Sequence, residues 1–194
     1  MDLRRAGITV FCGSSQGSNP LFLQTAQALG EALAKAGATL VYGGASVGLM
    51  GAVANGALQA NGTVLGVIPK PLVERELAHK GLTQLRVVSS MHERKTIMSD
   101  LAAGYVVLPG GYGTWEECFE VITWKQIGLH KKPIILLNVA DYYAPLLAMI
   151  DQAVTHGFMT AALRDYVLVA RDVPHAMSLL TAYAEPAKPL DKWT

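Results

Sequence analysis

GYVVLPGGYGTWEE (104–117) decides the fold: an apolar run ends in proline and glycine, and a helical pattern opens directly behind it on a threonine and two adjacent glutamates. An apolar run without polar alternation marks a strand covered on both faces. A strand that turns through glycine into a helix is half of a βαβ unit. The same grammar recurs along the chain in ITVFCG (8–13), ATLVYGG (38–44), GTVLGVIP (62–69), LRVVS (85–89), PIILLN (133–138) and YVLVA (166–170). Helical spacing fills the intervals over Leu21–Ala36, Leu49–Ala60, Glu93–Ala102, Thr114–Ile127, Tyr142–Thr155 and Pro174–Tyr183, with Gly37, Gly62, Gly104, Gly128 and Gly157 as stops. The expectation is an α/β protein with a doubly wound parallel sheet of about seven strands flanked by helices.

With 194 residues and 51% hydrophobic content, the chain is expected to form one domain over residues 1–183, followed by a loosely held tail, AEPAKPLDKWT (184–194). Sixteen basic and 15 acidic residues leave a formal charge of +1 without a long run of either sign, which argues against nucleic-acid and membrane partners. The apolar stretch behind Arg4 and Arg5 is too short for a signal peptide, and no segment approaches the roughly 20 apolar residues of a membrane span. Cys12 and Cys118 form no CxxC pair, so a cytoplasmic protein with reduced thiols is expected.

Open α/β sheets bind ligands beyond the carboxyl ends of their strands, and three of those ends are rich in small residues: CGSSQGSNP (12–20), YGGASVGLMG (42–51) and LPGGYGTWEE (108–117). Small side chains let backbone N–H groups approach an anion, and a following helix N-terminus adds roughly half an elementary positive charge. A lone loop of this kind is as readily a tight turn; three together favour a nucleotide site. GxxxxGK[ST] is absent, GxGxxG does not follow the first strand, and Tyr42 ends the second strand where a dinucleotide ribose calls for an acid. These departures argue against a P-loop ATPase and an NAD enzyme.

SMHERKTIMSD (90–100) brings Arg94 and Lys95 to the start of a helix after a strand, within reach of the same crevice. Either charge can instead solvate a helix face, and for Lys95 taken alone that is the favoured reading. Glu116 and Glu117 suit a helix start with no catalytic purpose. Beside a bound phosphate they would repel it, unless the ligand extends and places a cation-forming centre against them. A ribosyl carbon losing its base is such a centre. Ser14 and Ser15 either contact ligand or cap the first turn, and Gly43 and Gly44 belong to the second loop. Met50, Met91, Met98 and Trp124 fit a base pocket or, more simply, core and subunit contacts. His79, His92, His130, His156 and His175 lack metal-ligand spacing, so no metal is assigned, and His92 reads as a surface residue at a helix start.

GGASVGLMG (43–51), MHERK (91–95) and PGGYGTWEE (109–117), in this order at the ends of the expected strands, resemble the LONELY GUY family. Its members are cytokinin riboside 5′-monophosphate phosphoribohydrolases, once labelled lysine decarboxylases. The resemblance runs from about Ile8 through VITWKQIGLHKKPIILLN (121–138) to about Val169. It implies a Rossmann-like fold, homodimers or larger assemblies, no metal or organic cofactor, and hydrolysis of adenine-type nucleoside 5′-monophosphates to free base and ribose 5-phosphate. By motif it implies Arg94 and Glu117 as the catalytic pair. Substrate contacts follow from Gly110, Gly111, Tyr112, Gly113, Thr114, Trp115 and Glu116, from Glu76 in LVERE (72–76), from Thr123, and from Lys95 beside Arg94.

Two other classes stay in view. A nucleotide sensor or carrier would use the same glycine loops without turnover, but gives no reason to set a carboxylate beside phosphate. A pyridoxal-dependent decarboxylase needs a Schiff-base lysine and a partner for the cofactor ring nitrogen, which Lys95 beside Arg94 serves poorly. The segment from Trp115 through VITWKQIGL carries more apolar surface than one sheet face needs, so a homodimer at least is expected.

Overall fold

The computed structural model of the chain describes residues 1–73 and 78–184. Its elements alternate along the chain: β1 (Gly7–Phe11), α1 (Pro20–Lys35), β2 (Thr39–Tyr42), α2 (Gly48–Gln59), β3 (Thr63–Pro69), β4 (Gln84–Val88), α3 (Met91–Leu101), β5 (Gly104–Val107), α4 (Tyr112–Gln126), β6 (Ile134–Leu137), α5 (Ala144–Thr155), α6 (Ala161–Arg164), β7 (Val167–Ala170) and α7 (Val173–Ala182). Among the described residues the strands form one seven-stranded sheet in the order β4-β3-β2-β1-β5-β6-β7, with every neighbouring pair parallel. This is the expected Rossmann-like α/β architecture.

The period of two in each strand feeds two separate cores. Along β5 and the residue after it, Val106 and Leu108 join one core with Ile8, Leu40, Leu29 of α1 and Val53 of α2. Tyr105 and Val107 join the other, with Phe11, Val67, Met98 of α3 and Val121 of α4. Each fully buried leucine or isoleucine contributes about 1.5–3 kcal/mol, so a one-residue slip in register would exchange the two faces and forfeit both cores.

Local chemistry sets the helix ends. The Asn19 side chain accepts from the Leu21 N–H at 3.0 Å, with Pro20 opening α1; Ser90 accepts from Glu93 at 3.1 Å to start α3, and Asp172 accepts from His175 at 2.7 Å to start α7. Gly37, Gly128 and Gly157 follow their helices with φ of 74°, 81° and 74°, the left-handed stop that glycine permits. Two expected stops fall elsewhere. Asn61, at φ 59°, takes the left-handed position assigned to Gly62, and Gly104 lies inside β5, where a Cβ would meet Pro133, Leu180 and Met1 at 3.0–3.2 Å. The short α6 and the 3-10 turns Lys70–Leu72 and Val139–Asp141 carry too few residues for a periodic signal. The expected tail falls almost wholly on 185–194, outside the described residues.

β1 lies between β2 and β5, so the chain's progress across the sheet reverses there. The two strands' carboxyl ends open the crevice that such a reversal creates.

Candidate active site

The crevice between the ends of β1 and β5 is a cavity of about 540 Å³. Residues 12–17 after β1, residues 109–114 at the start of α4, and Arg94 of α3 line it, with Leu49 and Met50 of α2 on one side. The two loops are tied together: the Gly13 N–H donates to Pro109 O at 3.0 Å, and the Leu49 and Met50 N–H groups at the start of α2 donate to Gly13 O. A Cβ on Gly110 would lie 2.1 Å from Thr114 Oγ1 and 2.8 Å from Gly13 N, so the loops can approach this closely only with glycine there. Gly111 and Gly113, which also line the cavity, have nothing within 4 Å of an added Cβ.

Gly111 is the N-cap of α4 and has no side chain with which to cap it. The first helical N–H groups have no intrahelical acceptor, so the start of α4 offers uncapped donors and the positive end of the helix dipole to an anion in the cavity. Thr114 is buried beside them.

Arg94 and Glu117 meet in the cavity. Arg94 Nη2 lies 3.7 Å from Glu117 Oε1, and their side chains are only 7% and 10% exposed. Arg94 Nη1 lies 3.8 Å from Met91 Sδ, and Arg94 Nε is buried without a hydrogen-bond partner among the described residues. A guanidinium in this state has donor capacity that an anionic ligand can take up. Gly43 makes room for it, since a Cβ there would lie 2.2 Å from Arg94 Nη2. Gly44 instead packs against Ile68 and Leu85 with φ 85°, away from the cavity. Cys12 lines the cavity floor, and burial, reinforced by the Glu117 carboxylate, pushes its thiol up and keeps it neutral. Burial likewise pushes Cys118 up to about 12.

Ser14, Ser15, Gly110, Gly111, Tyr112, Gly113, Thr114 and Glu116 also line the cavity. Lys95, Trp115 and Thr123 do not. Lys95 turns to α4, with Nζ 2.5 Å from Glu116 Oε1 and 2.8 Å from Glu120 Oε1. Thr123 is exposed, its hydroxyl donating back to Phe119 O at 2.8 Å. Glu76 lies outside the described residues. Of the residues weighed for a base pocket, Met50 and Met91 line the cavity, whereas Met98 is core and Trp124 packs partly buried against it. His92 is exposed at the start of α3.

The structure adds residues to which sequence patterning gave no weight. Phe22 and Leu72 extend the apolar lining, and Tyr142 donates its hydroxyl to Gly110 O. Tyr142 is delivered by a turn with Ala140 at φ 50° and Asp141 at φ 56°. Such left-handed residues cost about 1–2 kcal/mol each. The turn is held by Asn138, which donates to Asp141 Oδ1 at 3.2 Å and accepts from the Tyr143 N–H at 2.7 Å. Tyr143 in turn donates to Leu108 O at 2.7 Å. Consecutive tyrosines thus hold successive parts of the glycine loop. The available signal was their position just beyond the carboxyl end of a parallel strand.

The family model described as "Possible lysine decarboxylase" matches residues 50–180. A cytokinin riboside 5′-monophosphate phosphoribohydrolase of Rhodococcoides fascians is 49% identical over 174 residues, 89% of this chain and 88% of that protein. The enzyme LOG2 of Arabidopsis thaliana, with the same activity in its name, is 44% identical over 91% of this chain and 83% of its own length. Among solved structures, the molybdenum cofactor binding protein of Rippkaea orientalis shares the fold at a TM-score of 0.71 and 23% identity, covering 93% of this chain and 98% of its own. A Moco carrier protein of Chlamydomonas reinhardtii gives 0.69 at 25% identity, over 92% of this chain and 96% of that one. With a family model spanning most of the chain and relatives above 40% identity along nearly all of it, the protein belongs to the LONELY GUY family of phosphoribohydrolases.

Proposed function

We propose that the protein hydrolyses the N-glycosidic bond of an adenine-type nucleoside 5′-monophosphate, a cytokinin riboside 5′-monophosphate or AMP, giving free base and ribose 5-phosphate. The observation that carries this reading is the buried Arg94–Glu117 pair facing one cavity with the glycine loop. A site built only to hold phosphate gains nothing from a buried carboxylate beside it. A site that must also meet positive charge at a sugar carbon does.

In this reading the uncapped start of α4, from Gly110 to Thr114, holds the 5′-phosphate, and Arg94 orients the nucleotide and balances its charge. Glu117 faces the anomeric carbon. As the C1′–N9 bond breaks, its electron pair leaves with the base, the carboxylate stabilises the oxocarbenium-like centre, and a water positioned by Glu117 attacks C1′. The water oxygen stays on the sugar, and one of its protons ends on the base. Phe22, Leu49, Met50, Leu72 and Met91 supply the apolar wall for the base. Residues 1–183 act as one nucleotide-binding unit, and the chemistry calls for no cofactor. A lysine decarboxylase is poorly supported, because none of the described residues lining this cavity is a lysine that could form a Schiff base.

We also propose a homodimer across α4. Trp115, Phe119 and Thr123, spaced at four residues, form an outward stripe, and Trp115 and Phe119 remain 37% and 44% exposed although both are large and apolar. Trp115 and Thr123 would reach a nucleotide only across such a contact. No helix among the described residues is long and apolar enough to cross a membrane. With Cys12 and Cys118 both free, we place the reaction in the cytoplasm.

The second reading is a carrier that binds a nucleotide-like ligand without turnover, favoured by the solved structures of cofactor-binding proteins with this fold. Purified protein incubated with AMP and with N6-isopentenyl AMP, followed by chromatography for free base, separates the two. Sustained multiple turnover supports the hydrolase; stoichiometric binding without free base supports the carrier.

A further inference from the structure

We propose that Lys95 and Glu120 form a positioning clamp that sets the Arg94–Glu117 geometry, rather than Lys95 binding the substrate phosphate. The inference rests on the phosphoribohydrolase reading and deepens it. Arg94 and Lys95 are consecutive on α3, and Glu116 and Glu117 are consecutive on α4, so the two helices are joined by paired contacts. The inner one, Arg94 to Glu117, faces the cavity. The outer one places Lys95 Nζ between two carboxylates, 2.5 Å from Glu116 Oε1 and 2.8 Å from Glu120 Oε1.

The distances distinguish the two contacts. At 3.7 Å the inner pair is longer than a hydrogen bond and can admit a ligand, whereas the outer contacts are short charge-assisted bonds. Glu116 and Glu120 are four residues apart, so they lie on one face of α4 and grip the same ammonium. The Lys95 side chain is only 12% exposed and that of Glu120 23%, so water screens this bridge less than an open surface pair. Burial works against the Lys95 charge, but the hydrogen bonds it donates to both carboxylates, with their negative charge, outweigh it and the ammonium is held above its ordinary range.

The clamp has an electrostatic effect as well. Glu116 borders the cavity, and an unpaired carboxylate there would repel the phosphate that the start of α4 is arranged to hold. Lys95 neutralises that carboxylate. An ammonium already engaged by two carboxylates has little capacity left for a phosphate. Glu120, by contrast, lies outside the cavity and acts only through Lys95.

Steady-state kinetics of Glu120→Gln, Lys95→Met and the charge swap Lys95→Glu/Glu120→Lys, each with AMP and N6-isopentenyl AMP, test the clamp alongside the affinity for ribose 5-phosphate and the melting temperature. The swap keeps one ammonium between two carboxylates. The clamp predicts that kcat falls about tenfold in Glu120→Gln with the Kd for ribose 5-phosphate within about threefold of wild type, and that kcat falls further in Lys95→Met, where the Glu116 carboxylate left without its cation also weakens ribose 5-phosphate binding. The swap should regain most of the kcat lost in Lys95→Met. A fully active Glu120→Gln protein, together with a Lys95→Met protein whose loss lies in ribose 5-phosphate affinity at unchanged kcat, would overturn it and make Lys95 a phosphate ligand. If the wild-type protein turns over neither nucleotide, the phosphoribohydrolase reading itself fails, an outcome distinct from an active wild type with silent variants.

Discussion

Arg94 Nη2 and Glu117 Oε1 stand 3.7 Å apart inside a cavity that both residues line, close enough to neutralise one another and too far for a hydrogen bond. In the proposed reaction this spacing leaves the guanidinium for the nucleotide and the carboxylate for the sugar carbon. Glu117→Gln keeps the shape and removes the charge. It should lower kcat for base release by about 10²–10³-fold, the scale expected for losing one preorganised electrostatic contact. Its melting temperature should stay close to that of the wild type, as checked by circular dichroism.

Arg94→Ala should act differently. Removing the cation takes one charged partner from the buried Glu117 carboxylate, so stability should fall by about 1–3 kcal/mol while nucleotide binding weakens. Urea denaturation and calorimetric titration with AMP would measure both. An Arg94→Ala protein that binds AMP as tightly as the wild type would remove Arg94 from the phosphate site.

The glycines of the loop should separate by position. Gly110→Ala drives a Cβ to 2.1 Å from Thr114 Oγ1 and 2.8 Å from Gly13 N, so it should cost about 1–3 kcal/mol of stability and abolish most activity. Gly111→Ala meets no protein atom within 4 Å and should melt like the wild type. If the Gly111 backbone approaches phosphate as proposed, that variant should nevertheless lose about tenfold in kcat/KM. Equal melting with equal activity would place the phosphate elsewhere.

The sheet was legible in the sequence because each strand is an apolar, β-branched run closed by small residues, and all seven expected runs pair. The core register also follows from the period of two, as in Val106 and Leu108 against Tyr105 and Val107. Helix ends were read less well. Asn61 adopts a left-handed φ that a glycine next to it suggested more strongly, and Gly104 serves close packing inside a strand rather than a stop. At the site, the glycine loop and Glu117 fall together because one motif carries both past the end of β5, and Arg94 joins them because α3 crosses back over the sheet from the edge strand β4 to β5. The direction of Lys95 was not legible, since it depends on Glu120 of a different helix, which no local pattern links to it. Tyr142 was hidden for the same reason: its contact with Gly110 spans 32 residues and depends on a left-handed turn at Ala140.

His130 gives a stability prediction independent of catalysis. Its Nε2 lies 2.8 Å from Val121 O, and the Lys132 N–H donates to its Nδ1 at 3.1 Å, so the neutral ring satisfies both contacts. Burial pushes its pKa down to about 4, partly opposed by the bond to Val121 and assisted by Lys132 and Lys125. The folded protein therefore takes up this proton later than the unfolded chain, whose histidine titrates near 6.5. Stability from this group is present above about pH 6.5 and is lost as pH falls toward about 4, by about 1–2 kcal/mol after allowing for solvent reaching the ring. His130→Phe should be less stable at neutral pH but lose less between pH 7 and pH 4 in urea unfolding. An acid loss equal to that of the wild type would contradict the assignment.

The proposed homodimer places Phe119 in an apolar contact. Phe119→Glu should convert a dimeric mass to a monomeric one in light scattering. A wild-type protein already monomeric at working concentration would contradict the dimer.

The central claim is that water attacks the ribosyl carbon. Turnover of AMP or N6-isopentenyl AMP by the wild-type protein in ¹⁸O-water, read by mass spectrometry of both products, tests it most directly. The account predicts one ¹⁸O on C1 of ribose 5-phosphate, none incorporated into the base or the phosphate group, and no such product from Glu117→Gln on the same timescale. Label in released phosphate, or nucleotide bound and recovered intact, would contradict it.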